Sequence, residues 1–353
     1  VFVDKYRVTA LLGRGGQASV YRAQHLVMGR EVAIKVVYSV HGVRPEMVER
    51  GKAEAEMLGK LDHPNVTRMY DAGFGENGLF YMVMELLEGR NLRATLADYG
   101  PLRVEEVLRL GIKIAHAMQT AHDQNIIHRD LKPDNLFIGR NSEPKVLDFG
   151  IARMMDRIGI TRRKLGVLGT LVYMSPEQAK GQPNLTPQTD VCSLGIVLFE
   201  LLIGKTPTVL LFEHELASRG EPRRSGSLRE LAPLQVAGLP PLLSLLDARI
   251  PIYLAQVIQR AIAKSTEQRF QTMSELGSAL QFCLDTWLVD APAGAVLGPR
   301  GRQITRDLSL PAPESERAPR VQPLEPPLSR RETLNAAALG QQVTQDLNSI
   351  ADS

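Results

Sequence analysis

The hydrophobic positions divide the chain into a strand-rich beginning and a helix-rich remainder. Tyr6 to Leu12 and Ser19 to Ala23 read as strands on either side of the run G-R-G-G-Q-A at Gly13 to Ala18. Val20 and Tyr21 have the branched and aromatic shapes that fit a pleated surface. Glu31 to Val37 and the run F-Y-M-V-M-E-L-L at Phe80 to Leu87 are apolar enough to be buried strands. Between them Pro45 to Leu61 has helical periodicity, with Met47, Glu54, Leu58 and Leu61 on one face at spacings of seven, four and three. Gly51 in that segment costs about 1 kcal/mol relative to Ala, which leaves the helix mobile until it packs.

From Leu92 onward the period is that of helices. Leu92 to Leu96 is followed by Val104 to His122, where Val107, Leu110, Ile114, Ala117, Met118 and Ala121 make one apolar stripe. Thr189 to Gly204 reads as a buried helix capped by Thr189 or Asp190 and stopped by Gly204. Lys205 to Ile250 suggests two or three short helices around a polar loop, and Pro251 to Lys264 and Met273 to Leu284 read as amphipathic helices. Beyond Asp285 the composition turns to Pro, Ala, Arg, Ser and Glu, a stretch that reads as disordered over most of its length. Its end, with Leu339, Val343 and Leu347, has the weak period of a short helix for a partner.

The densest chemistry lies in H-R-D-L-K-P-D-N at His128 to Asn135, with K-V-L-D-F-G ending at Gly150. Pro133 fixes its own φ, so the first run is a loop, and Leu136, Phe137 and Ile138 after it make a short strand with Val146 and Leu147 as partner. Such a ribbon brings Asp130, Lys132, Asn135 and Asp148 over one patch. Taken singly, each is an ordinary solvated surface residue. Together, Asp148 and Asn135 offer the hard oxygens that suit Mg²⁺ beside water and substrate phosphates. Asp130 can accept the proton of an attacking hydroxyl, and Lys132 can neutralise charge on a transferred phosphoryl group.

The glycine run lets backbone amides approach phosphates without a Cβ in the way, although alone it is equally an ordinary hairpin. Lys35, in the middle of an apolar strand, needs a partner if it points inward. Glu54, a carboxylate on the apolar face of the helical segment that follows, can supply it. His116, His122 and His128 lack cysteine or carboxylate partners at ligand spacing; His128 reads as a packed structural histidine.

Length and charge narrow the class further. With 353 residues, 44% hydrophobic, the chain can bury one large core or two modest ones, and a formal charge of +3 gives no reason to expect nucleic acid. Two cysteines, Cys192 and Cys283, read as unpaired thiols of a reducing compartment, so the expected location is cytoplasmic. The longest apolar run, Val191 to Ile203, is too short for a bilayer and contains Glu200. No signal peptide is expected. A chain beginning at Val1 reads as a fragment, which leaves room for a membrane tether elsewhere.

The motifs resemble those of the protein kinases, and their nearest likeness is to the bacterial Ser/Thr branch. The likeness runs from Tyr6 to Leu284 and weakens between Lys205 and Ile250. It rests on V-A-I-K at Lys35, H-P-N-V at His63, the H-R-D and D-F-G runs, G-T and S-P-E at Gly169 to Glu177, and E-Q-R-F at Arg269. The fold it implies is α+β and bilobal: a small antiparallel sheet with one helix at about 6–84, a hinge at 85–90, a mainly helical lobe at 91–284, and a tail at 285–353.

The resemblance also implies a site. Leu12, Gly13, Gly15, Gly16, Val20 and Ala33 would cradle ATP; Lys35, paired with Glu54, would hold its α- and β-phosphates. Met84 would be the gatekeeper, with Glu85 to Leu87 as the hinge that binds adenine. Asp130 and Lys132 would be catalytic, and Asn135 and Asp148 would bind Mg²⁺, with Mn²⁺ as an alternative. Thr170 would bond to Asp130 and Lys132, Glu177 would pair with Arg269, and Asp190 would anchor the catalytic loop. Ala18 departs from the pattern, standing where a third loop glycine is usual. The substrates implied are proteins. A pseudokinase scaffold and a small-molecule kinase are the rival readings; the first is opposed by the presence of Lys35, Asp130 and Asp148, the second by G-T, S-P-E and Arg269.

Between Gly150 and Thr170 the only hydroxyl is Thr161, among Arg153, Arg157, Arg162, Arg163 and Lys164 against the single acid Asp156. Lys164 and Gly166 stand where related kinases commonly carry threonines whose phosphates pair with the H-R-D arginine, here Arg129. Activity is therefore expected not to depend on loop phosphorylation, the basic loop being ordered instead by an acidic partner, by substrate or by self-association. Assay of Thr161→Ala tests this, since a loss of about 100-fold would refute it. Autophosphorylation is expected in the tail near Thr305, Ser309 and Thr333, each close to arginines.

Overall fold

The apolar runs of the first part form one antiparallel sheet of five strands, β1 (Tyr6–Arg14), β2 (Ala18–His25), β3 (Glu31–Val37), β4 (Met69–Phe74) and β5 (Phe80–Glu85), in the order β1-β2-β3-β5-β4. The structure is a computed structural model describing residues 5–15, 18–37, 56–75, 79–149 and 168–290. Gly16, Glu54, Gly150, Thr161 with its basic neighbours and the tail from 291 lie outside the described residues.

Alternation along the strands gives the sheet two apolar faces. Tyr6, Ala23, Val32, Ile34, Val36, Tyr81 and Val83 pack on one, and Val37, Phe80 and Met82 on the other with Phe74 and Met84 against them. β3 has the predicted bounds. β4 was not expected, and β1 runs two residues past Leu12. Of the helix expected at Pro45 to Leu61, 56–59 is helical among the described residues, with Leu58 and Leu61 buried.

A second sheet of β6 (Gly89–Asn91), β7 (Leu136–Gly139) and β8 (Pro144–Val146) carries the ribbon expected after the catalytic loop, with Leu136 opposite Val146. Gly89 crosses β7 at φ 146°, where a Cβ would stand 2.0 Å from the Ile138 carbonyl oxygen. Only glycine fits there.

The rest is helical: α1 (Leu92–Tyr99), α2 (Val104–Asp123), α3 (Leu168–Leu171), α4 (Pro176–Ala179), α5 (Gln188–Ile203), α6 (Pro207–Ser218), α7 (Leu228–Ala237), α8 (Leu243–Leu246), α9 (Ile252–Ala261) and α10 (Met273–Asp290). The predicted stripe of α2 is buried, and α5 is buried on nearly every side because it runs through the middle of this core. Gly204 ends α5 at φ 83° as expected, but the capping assignment fails. The N-cap is Pro187; Thr189 and Asp190 lie inside the first turn, where their side chains serve tertiary partners. The Lys205 to Ile250 stretch supplies α6, α7 and α8, and α10 continues past the expected end at Leu284 to Asp290.

Among the described residues no single helix is long and apolar enough to cross a membrane; α5 and α6 reach that length only as a pair bent by 61°. Cys192 and Cys283 are buried and unpaired, and burial pushes both thiols up to about 11.

Candidate active site

The loop after α2 is held from beneath by one carboxylate. Asp190, wholly buried in the first turn of α5, accepts the backbone N–H of His128 at 2.8 Å and of Arg129 at 2.9 Å, and lies 2.8 Å from His122 Nε2. Burial drives its carboxyl upward, but His122 and the loop amides outweigh that and hold it below the ordinary range. His128 is fully buried, with Nε2 2.8 Å from the Leu147 carbonyl oxygen and its ring edge-on to Phe149 at 4.9 Å. It is the packed histidine expected from the sequence, and it ties the H-R-D turn to the D-F-G turn.

So supported, the loop brings three of the predicted residues together. Asp130 donates its N–H to His128 Nδ1 at 3.2 Å, and its Oδ2 accepts from Lys132 Nζ at 3.0 Å. Pro133 starts a single 3₁₀ turn, Pro133–Asn135, which swings Asn135 back so that its Nδ2 donates to the Asp130 carbonyl oxygen at 2.7 Å. The same Nδ2 lies 3.3 Å from Asp130 Oδ2. Thr170 accepts from Lys132 at 3.4 Å, but the direct bond to Asp130 expected from the family pattern is not formed.

Arg129 (φ 67°) and Asp148 (φ 60°) both occupy the left-handed region, which costs a non-glycine residue on the order of 1–3 kcal/mol. At Asp148 this conformation accompanies a contact between the lobes: Lys35 Nζ lies 2.5 Å from Asp148 Oδ2. Lys35 thus has an inward partner, and among the described residues it is Asp148; Glu54, the expected partner, lies outside them.

Ala33 pairs with Met84 across β3 and β5, and Ala33 is buried. Glu85 turns its carboxylate away from the cleft, accepting from Lys145 Nζ at 2.7 Å and the Arg68 N–H at 2.8 Å. Its backbone N–H is also taken, donating to the Arg68 carbonyl oxygen at 3.0 Å. Leu87 is half-buried and Leu12 is 50% exposed. Val20 lies partly open on β2 opposite Lys35. A Cβ at Gly13 would meet nothing within 4 Å, and one at Gly15 would meet only the Ala18 carbonyl oxygen at 3.5 Å, so these two glycines have open space beside them.

Downstream, Glu177 and Arg269 form the expected pair, and Thr189 Oγ1 donates to Glu177 at 2.9 Å. Gln178, which sequence reasoning missed, donates to the Arg129 carbonyl oxygen at 2.8 Å and so joins α4 to the H-R-D loop. Also missed was a chain of Arg93, Tyr173, Glu200 and Asp134 beside Lys132. Its one sequence signal is Glu200, an acid within the otherwise apolar end of α5.

This fold, with its acid–lysine–amide cluster and its lysine reaching across the cleft, is that of a phosphotransferase domain. The protein kinase domain profile matches residues 6–223, and the chain belongs to that family. It is 35% identical over 281 residues to the serine/threonine-protein kinase PrkC of Bacillus subtilis (strain 168), covering 80% of this chain and 41% of that protein. It is 32% identical over 331 residues to the serine/threonine-protein kinase PknB of Mycolicibacterium smegmatis, covering 88% and 49%. The chain therefore spans less than half the length of these relatives. Among solved structures, the kinase domain of Mycobacterium tuberculosis PknI shares the fold, with a TM-score of 0.60 at 24% identity over 80% of this chain and 97% of that one.

Proposed function

We propose that this chain transfers the γ-phosphoryl group of ATP to serine or threonine hydroxyls of protein substrates. The observation that carries the reading is the arrangement of Asp130 between Lys132 and Asn135, with Asp148 across the cleft on Lys35. The donors suit the cofactor: an amide oxygen of Asn135 and a carboxylate of Asp148 are hard ligands, too few to enclose an ion and enough to share Mg²⁺, or Mn²⁺, with phosphates and water. The metal when bound supplies charge neutralisation of the phosphates. Lys35 would hold the α- and β-phosphates, and the amides of Gly13, Gly15 and Gly16 would cover them. Leu12, Val20, Ala33, Met84 and Leu87 would line the adenine end.

In this reading Asp130 orients the acceptor hydroxyl and takes its proton. Lys132, already within hydrogen-bond reach of Asp130, steadies charge on the group in transfer, so most of the rate gain is positioning and fixed electrostatics. The basic 150–164 segment remains, on sequence alone, a place for an acidic partner. Incubation with labelled ATP and Mg²⁺ and a general protein substrate tests the function: label on Ser or Thr is expected, and no transfer beyond that of an Asp130→Asn control would refute it.

A further inference from the structure

A cavity of about 380 Å³ opens beside the reacting groups, with Lys132 and Thr170 in its wall. Another part of the wall is an acidic pair with a cation already in place. Arg93, on the first turn of α1, puts Nη1 3.0 Å from Glu200 Oε1 and Nε 3.4 Å from Asp134 Oδ2. Its Nη2 donates to the Tyr173 hydroxyl, and the guanidinium carbon lies 5.5 Å from the Tyr173 ring centre. Tyr173 donates in turn to Glu200 Oε2 at 2.6 Å, so both oxygens of Glu200 are committed.

The exposures decide which group serves which. The Glu200 side chain is 8% exposed and that of Arg93 38%, so a buried carboxylate is being neutralised by a guanidinium that reaches it from the open side. A carboxylate buried to this degree requires a counter-charge. With Arg93 seated, an incoming guanidinium or ammonium meets a Glu200 whose two oxygens are taken and the Arg93 cation that also reaches Asp134, while the other lining cations, Lys132 and Lys205, are themselves paired with Asp130 and Glu213. An uncharged side chain meets Val172, Val209 and the Tyr173 ring. Without Arg93, Asp134 and Glu200 would present an unfilled site for a cation.

Resting on the reading of this chain as a protein kinase, we propose that Arg93 determines substrate specificity, plugging the Asp134–Glu200 pocket so that peptides with Arg or Lys beside the acceptor are rejected and uncharged ones accepted. The position concerned lies close to the acceptor. Lys132 is 3.0 Å from Asp130, and an extended peptide advances about 3.3 Å per residue, which puts the cavity within about three residues of the reacting hydroxyl.

The test uses peptides with one serine acceptor and either Leu or Arg at each nearby position, read as the ratio of kcat/KM for the Arg peptide to that for the Leu peptide. Each protein is its own reference, so a general loss of activity cancels. At one position the ratio is expected to rise about tenfold or more in Arg93→Ala, through a lower KM for the Arg peptide, and to fall back in Arg93→Ala/Asp134→Asn. Arg93→Gln, which keeps a hydrogen-bonding group for Tyr173 and Glu200, serves if the alanine variant fails to fold. A ratio unchanged at every position overturns the proposal while leaving the kinase reading intact. No ATP-dependent turnover by the wild-type chain on any peptide or protein overturns both.

Discussion

Arg269 and Glu177 meet fork to fork, with Nη1 2.8 Å from Oε1, Nη2 2.9 Å from Oε2, and Arg269 completely buried. The remaining donors of Arg269 go to the carbonyls of Ala263, Gln188 and Lys264, so one guanidinium fastens α4 to the start of α5 and to the chain just past the end of α9. Removing it strands a buried carboxylate. Arg269→Met is expected to lower stability by about 3–5 kcal/mol, and Glu177→Leu in the same chain to recover a large part of that. Equilibrium denaturation of the three proteins checks this; an Arg269→Met loss below about 1 kcal/mol would contradict it.

The same pair sets a pH dependence. Burial raises the Glu177 carboxyl, but the Arg269 bonds and charge overcome that and bring it down to about 2. A depressed folded-state value stabilises the fold above the unfolded-state value, near 4.5, and the contribution is lost as pH falls from there through about 2. Its full size is on the order of 3 kcal/mol. The stability difference between wild type and Glu177→Gln is therefore expected to be constant above pH ~5 and to shrink steadily below it, as measured by urea denaturation at stepped pH.

For the chemistry, Asp130→Asn and Lys35→Met are each expected to abolish phosphotransfer with the fold retained, as is Asp148→Asn through lost metal binding. Circular dichroism reports the fold and a labelled-ATP assay the transfer. Near wild-type turnover by folded Asp130→Asn or Lys35→Met would overturn the assigned roles.

Packing of the larger lobe can be probed at Gly195. A Cβ there would stand 2.7 Å from Ile262 Cγ2 and 2.8 Å from Ala261 Cβ, so α5 and α9 touch through that glycine. Gly195→Ala is expected to destabilise by about 1–2 kcal/mol: overpacking costs about 1–3, and the gain in helix propensity returns up to about 1. A rise in Tm would show that the helices separate freely.

What could be read in advance follows from where the physical signal lies. β5 is a continuous apolar run up to Glu85 and β3 after Glu31 is broken only by Lys35, and the Asp130, Lys132, Asn135 and Asp148 cluster sits within one short stretch of chain, so both were legible. β4 is an edge strand, half-exposed, with its pairing shifted between Met69 and Asp71, which breaks the alternation a sequence pattern needs. Thr189 and Asp190 have the chemistry of helix caps, and only the folded chain reveals that Glu177 and the His128–Arg129 amides claim their side chains first. Arg93, Tyr173 and Glu200 are separated by 80 and 107 positions from Arg93, so no local spacing betrays them.

Gly89 acquires a meaning beyond its own turn. The strand it begins pairs with β7, which leaves the catalytic loop, and ends at Asn91, whose side chain caps α1 by accepting from the Ala94 N–H at 2.8 Å. α1 carries Arg93. Any side chain at position 89 would prise β6 from β7 and tilt α1 with it, disturbing the hinge beside the proposed adenine site and the plug in the proposed peptide cavity in one movement. Under the proposed roles of Met84 and Arg93, a change at either would retune one recognition alone, whereas a change at Gly89 would disturb both.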